Sequence, residues 1–94
     1  EETFEKDTRD SEEIFSVFEN LLKETFHQAR DENFTFRTIS VKCRFTGFET
    51  HTKDKTLKRA SISFEEYKKT ADRLLLEFLV QHQKPIRLIG IRLS

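Results

Sequence analysis

From Phe36 onward the chain alternates. Ile39, Val41, Cys43 and Phe45 fall on one parity and Thr38, Ser40, Lys42, Arg44 and Thr46 on the other, which predicts a strand buried on one face. Upstream the period changes. Ile14, Phe18, Leu21, Leu22, Thr25 and Ala29 recur at helical spacing with Phe15 and Phe26 beside them, and Asp10 or Ser11 is placed to cap that helix, Asp10 with Glu13 having capping-box spacing. Ahead of it, Thr3 to Thr8 alternates weakly and reads as a short strand. Gly47 permits a tight turn or bulge, and Phe48 to Thr56, rich in threonine, reads as an antiparallel return strand in which Glu49, His51, Lys53 and Lys55 share one parity. A second helix follows. Ser63 and Glu66 make its capping box, Ile62 and Tyr67 stand at the hydrophobic-staple positions, and Tyr67, Ala71, Leu74, Leu75, Phe78 and Leu79 form its stripe. Pro85 bars continuation, so Ile86 to Ser94 supplies a last strand with Ile89, Ile91 and Leu93 inward and Leu88, Gly90 and Arg92 outward.

The order is βαββαβ. It predicts an α+β fold, a four-stranded antiparallel sheet with two helices packed on one face and the other face open. By these parities the open face would carry Lys42, Arg44, Lys53, Lys55 and Arg92, with Thr38, Ser40 and His51 among them. Cations with small hydroxyls suit phosphate contact rather than a protein core. Gly90 would then let a nucleic-acid backbone approach the sheet closely.

Length and composition narrow the setting. Ninety-four residues fit one domain, 1–94, with a single core and no enclosed cleft. Ten phenylalanines spread periodically argue for a folded chain even though 36% of residues are charged. The lone Cys43 forms no internal disulfide, and neither a membrane-length apolar run nor a signal peptide is present; both point to an intracellular protein, cytoplasmic or nuclear. The start at Glu1 reads as a piece of something longer. Net charge is zero but polarised: residues 1–35 hold four Lys/Arg against eleven Asp/Glu, whereas residues 36–59 hold seven against two. Such a domain can turn a basic face to a polyanion while an acidic face looks elsewhere.

Catalytic chemistry finds no support. There is no Gly-rich phosphate loop, no Cys/His metal spacing and no nucleophile motif. His27, His51 and His82 are scattered and read as surface or helix-end histidines, and Cys43 as a small buried hydrophobe. Glu12, Glu13, Glu65 and Glu66 sit at helix starts, where capping and the helix dipole account for them. Lys58, Arg59, Lys68 and Lys69 read as solvated charges.

Three segments carry a family resemblance: "EETF" opening the first strand, "ISVKCRFTGFETHTKDKT" followed by Leu57, and the closing "IRLIGIRLS". In this order, with two helices between them, they resemble the little-finger domain of Y-family DNA polymerases of the polymerase IV and kappa type, across essentially the whole chain. The resemblance implies a sheet that lies in the major groove of primer-template DNA, holds it largely through phosphates, and influences fidelity, lesion bypass and processivity. It also implies that the partners are that DNA, the palm, finger and thumb core of the same polymerase, and a sliding clamp. The carboxylates that bind Mg2+ for nucleotidyl transfer would lie in the palm, so this segment needs no cofactor of its own. Lys53 and Lys55 occupy places where the family usually has arginines, Asp54 stands where a small hydroxyl is usual, and Glu2 where arginine often precedes Thr-Phe. Arg92 matches the family arginine, and Lys42 and Arg44 fit its basic second strand.

Two other readings share the strand and helix order. An RRM-type RNA-binding sheet would display aromatics for base stacking, which here would have to come from Phe36 or Phe48 because Phe45 falls on the inward parity. A regulatory or dimerisation module would bury the open face, at a cost in unpaired cations. For the DNA-binding reading, four to five phosphate contacts give a log-log salt slope near about −4.

Overall fold

The computed structural model describes residues 1–94 apart from position 48. Its elements are β1 (Glu2–Thr8), α1 (Ser11–Asp31), β2 (Phe36–Phe45), β3 (Glu49–Ser61), α2 (Phe64–Gln81) and β4 (Ile86–Leu93). The four strands form one antiparallel sheet in the order β1-β4-β2-β3. Helix α1 lies over β1 and β4 and α2 over β2 and β3, so the two helices cover one face and leave the other open. The α+β, βαββαβ architecture expected from the pattern is the one found.

Local chemistry sets the helix boundaries. Asp10 caps α1, its carboxylate accepting from the Glu12 amide at 3.0 Å. The helix ends where Asn33 takes a left-handed φ of 53°, a conformation asparagine tolerates, and the Phe34 amide returns to the Ala29 carbonyl at 2.7 Å. Ser63 caps α2 through the Glu66 amide at 3.2 Å. The expected staple between Ile62 and Tyr67 does not form. Ile62 is 69% exposed, whereas Tyr67 is fully buried against Phe26, Phe36 and Phe64. The Tyr67 hydroxyl donates to the Leu22 carbonyl at 3.0 Å and so ties α2 to α1; burial pushes its pKa well up.

The core lies between helices and sheet. Phe18, Leu22, Ile39, Val41, Cys43, Phe45, Leu75 and Ile89 are wholly buried there, each large apolar side chain contributing about 1.5–3 kcal/mol of transfer free energy. The inward parity expected for β2 and β4 is therefore observed. Burial pushes the Cys43 thiol up to about 12, which keeps it protonated and inert.

The return strand departs from expectation in length and in facing. It runs to Ser61 rather than Thr56, with a register shift opposite Phe36 to Thr38, where the Arg37 side chain donates to the Leu57 carbonyl at 2.9 Å. Its facing is reversed. Ile39 pairs with Lys55, Val41 with Lys53, Cys43 with His51 and Phe45 with Glu49, and directly opposed residues share a face. Lys53, Lys55 and His51 therefore stand on the helix side, not on the open face. Thr50, Thr52, Asp54 and Thr56 take their places. The cause is the hairpin connection: three positions separate the paired Phe45 and Glu49, and an odd loop keeps odd residues opposite odd residues.

Candidate nucleic-acid interface

The open face is built in cross-strand rows. Thr56 and Thr38 make one, Asp54, Ser40 and Arg92 the next, then Thr52, Lys42 and Gly90, then Thr50, Arg44, Leu88 and Thr3. Of the five cations expected on this face three stand there, and they come from the two central strands: Lys42 and Arg44 from β2, Arg92 from β4. Thr38 and Ser40 lie beside them as expected.

Neighbouring hydroxyls and acids orient these cations. Arg44 Nε donates to Thr50 Oγ1 at 3.0 Å, which extends the guanidinium along its row, and Thr38 and Thr56 share a hydrogen bond of 3.1 Å. Lys42 is ion-paired with Glu1, and Asp54 sits across Ser40 from Arg92. Glu1, Ser40, Lys42, Thr52, Asp54, Gly90, Ile91 and Arg92 together line a shallow depression. The close approach expected over Gly90 is taken up by the protein itself. A Cβ at that position would meet Glu1 Cγ and Lys42 Cε, each at 3.4 Å.

The cations displaced to the other side have different neighbours. Lys53 Nζ lies 5.4 Å from the Phe78 ring centroid, its stem laid over the edge of the core. Lys55 borders a hollow lined also by Lys69, Thr70 and Arg73. The His51 ring lies 4.6 Å from that of His82, tilted by 35°, and His82 stacks in turn at 4.6 Å on Phe45. Glu49 accepts from His51 Nε2 at 2.7 Å and from Lys84 Nζ at 3.2 Å, and these two partners hold its carboxyl below the usual range.

Sequence reading missed Thr50, Thr52 and Thr56, and the acids Glu1 and Asp54, as open-face residues. The signal that would have found the β3 set is the parity of the hairpin loop. It also missed that Glu49, His51 and His82 converge, because His82 arrives from the end of a helix and shares no local spacing with the other two. Among the described residues the open face carries no aromatic ring, and Phe36 is buried on the other side. The stacking position considered for Phe48 lies outside the described residues.

All 94 residues match the family model described as the impB/mucB/samB family C-terminal domain. The chain belongs to this family, the little finger of Y-family DNA polymerases. It is 40% identical over 94 residues to the DNA polymerase IV of Methanoculleus marisnigri, covering 100% of this chain and 26% of that protein. A solved post-insertion binary complex of Dbh DNA polymerase superposes with a TM-score of 0.86 at 26% identity, over 99% of this chain and 26% of that one. The fold also matches, at a TM-score of 0.77 and 15% identity, a structure of a beta-clamp processivity factor with the little finger domain of PolIV, over 99% of this chain and 82% of that one. This little finger spans about a quarter of the length of the polymerase IV relative. No helix among the described residues is long and apolar enough to cross a membrane.

Proposed function

We propose that this little finger grips primer-template DNA in a Y-family polymerase, setting the open face of its sheet against backbone phosphates. What carries the reading is the coincidence of family membership with three cations, Lys42, Arg44 and Arg92, on the one sheet face that no helix covers. Arg44 and Arg92 offer planar, multidentate donors to phosphate oxygens, Lys42 a point charge, and Thr38, Ser40, Thr50 and Thr52 neutral hydroxyls that bond phosphate at no charge cost. Glu1 and Asp54 oppose them. On DNA, Lys42 exchanges Glu1 for a phosphate oxygen.

In this reading nucleotidyl transfer, with its Mg2+ and carboxylates, belongs to the palm of the parent polymerase. The little finger contributes grip and register, and through them fidelity, bypass and processivity. The polymerase core, and a sliding clamp of the kind seen with the PolIV little finger, are its protein partners.

The test is the salt dependence of duplex binding, followed by fluorescence anisotropy between low and moderate ionic strength. Three phosphate contacts give a log-log slope of about −2.7. Replacing Lys42, Arg44 and Arg92 together with Ala should bring the slope close to zero while far-UV circular dichroism stays unchanged. A slope that survives the triple change would remove the open face from the proposal.

A further inference from the structure

The Glu49, His51 and His82 cluster lies on the other side of the sheet, and nothing in the DNA-binding reading uses it. One donor atom from each residue lies within 4.8 Å of the other two. Two imidazoles and one carboxylate form the donor set that suits a borderline divalent ion such as Zn2+. We propose that Glu49, His51 and His82 form a three-ligand site for a divalent transition-metal ion of the zinc class, fixing the start of β3 to the end of α2.

Preorganisation supports the assignment. His82 is held from both directions: its amide donates to the Phe78 carbonyl at 3.0 Å, and its carbonyl accepts from Arg9. Its ring packs against both Phe45 and His51, which limits the freedom of both imidazoles. His51 and Glu49 are 40% and 43% exposed at their side chains, so water can complete the coordination shell. Zinc bonds of about 2.0–2.1 Å at tetrahedral angles set ligand atoms roughly 3.3 Å apart. Glu49 and His51 are already closer than this at 2.7 Å, so the main movement is an approach of the donors that lie farther apart.

The ion takes the place of the hydrogen bond between His51 Nε2 and Glu49 Oε1: the neutral imidazole changes from its Nε2–H to its Nδ1–H tautomer, so that Nε2 offers its lone pair and no proton is released. No bond other than the coordinate ones is made. Lys84 is the opposing group, since its ammonium occupies the second Glu49 oxygen at 3.2 Å. Metal binding requires Lys84 to swing away into solvent, where 61% of its side chain already lies.

The experiment is calorimetric titration of the 94-residue chain with Zn2+ alone at pH 7.5, paired with imidazole NMR spectra of the same sample. One saturable site is expected, with the His51 and His82 resonances shifted and those of His27 on α1 unmoved. His51→Gln and His82→Gln should each abolish the site, His27→Gln should keep it, and Lys84→Ala should tighten it several-fold. Lowering the pH should weaken binding, because protons compete with the ion for its ligand atoms. The NMR readout needs no variant to fold. Absence of a saturable site, shifts confined to His27, or binding that persists with both His51 and His82 replaced would overturn the proposal.

Discussion

Strands β2 and β3 are hydrogen-bonded along most of their length, yet different forces fix them. Strand β2 is central, flanked by β3 and β4 with α2 above it, and its inward residues Ile39, Val41, Cys43 and Phe45 are wholly buried. Strand β3 is an edge. None of its residues is buried, and on its helix side Lys53 and His51 are half covered while Lys55 remains exposed. A central strand is held in phase by the core, because a slip of one residue would expose every apolar side chain on it. An edge strand of this composition has no such constraint, and its phase is inherited from the length of the hairpin loop. The long cationic stems on its helix side also protect the edge from pairing with another sheet.

The sharpest way to break this contrast is to truncate one helix-side residue on each strand. Phe45→Ala removes a buried ring that packs on Phe78 and His82 and should cost about 3–5 kcal/mol in urea denaturation. Lys53→Ala, two rungs along on the edge strand, loses only its contact with the Phe78 face and should cost less than about 1 kcal/mol. Comparable losses would mean that β3 is as strongly held by its side chains as β2 is.

A second comparison concerns charge rather than packing. Lys53→Ala with Lys55→Ala removes as much charge as any two open-face substitutions, but from the other side of the sheet. The salt slope of duplex binding should change by less than about 0.5 in this double variant, against a loss of about 0.9 for each open-face cation that meets a phosphate. A larger fall would show that DNA reaches around the β3 edge to the helix side.

This is also the point at which sequence reading reached its limit. Both helices, the βαββαβ order along the chain and the faces of β2 and β4 could be read because apolar residues recur there at a period that only one orientation buries. Arg92, Lys42 and Arg44 were placed correctly through their apolar neighbours Ile91, Val41 and Cys43. Glu49 to Thr56 offered no apolar residue to fix the phase, so the facing of His51, Lys53 and Lys55 depended on whether the turn held two residues or three. The helix-end position of His82, and hence its meeting with His51, depended on tertiary packing alone.

The smallest effect separates both edges from the centre. At the β1 edge Asp7 accepts from Thr46 Oγ1 at 2.8 Å and from Arg87 Nε at 3.2 Å, and these bonds hold its carboxyl below the usual value. At the β3 edge Glu49 is held low by His51 and Lys84. Both groups are more acidic in the folded chain than in the unfolded one, so their stabilisation is fully present above the ordinary carboxyl range near about pH 4 and is lost as pH falls through the depressed values. The centre of the sheet has no buried charged residue and should not respond. Amide exchange in metal-free buffer at pH 6 and pH 3, each rate corrected for its intrinsic pH dependence, should show protection lost first in β1 and at the start of β3 while β2 and β4 keep theirs. Asp7→Asn with Glu49→Gln should shrink the edge response without altering the central strands. Uniform loss across all four strands would show instead that the sheet opens as one unit, and that the edge carboxylates report on global stability.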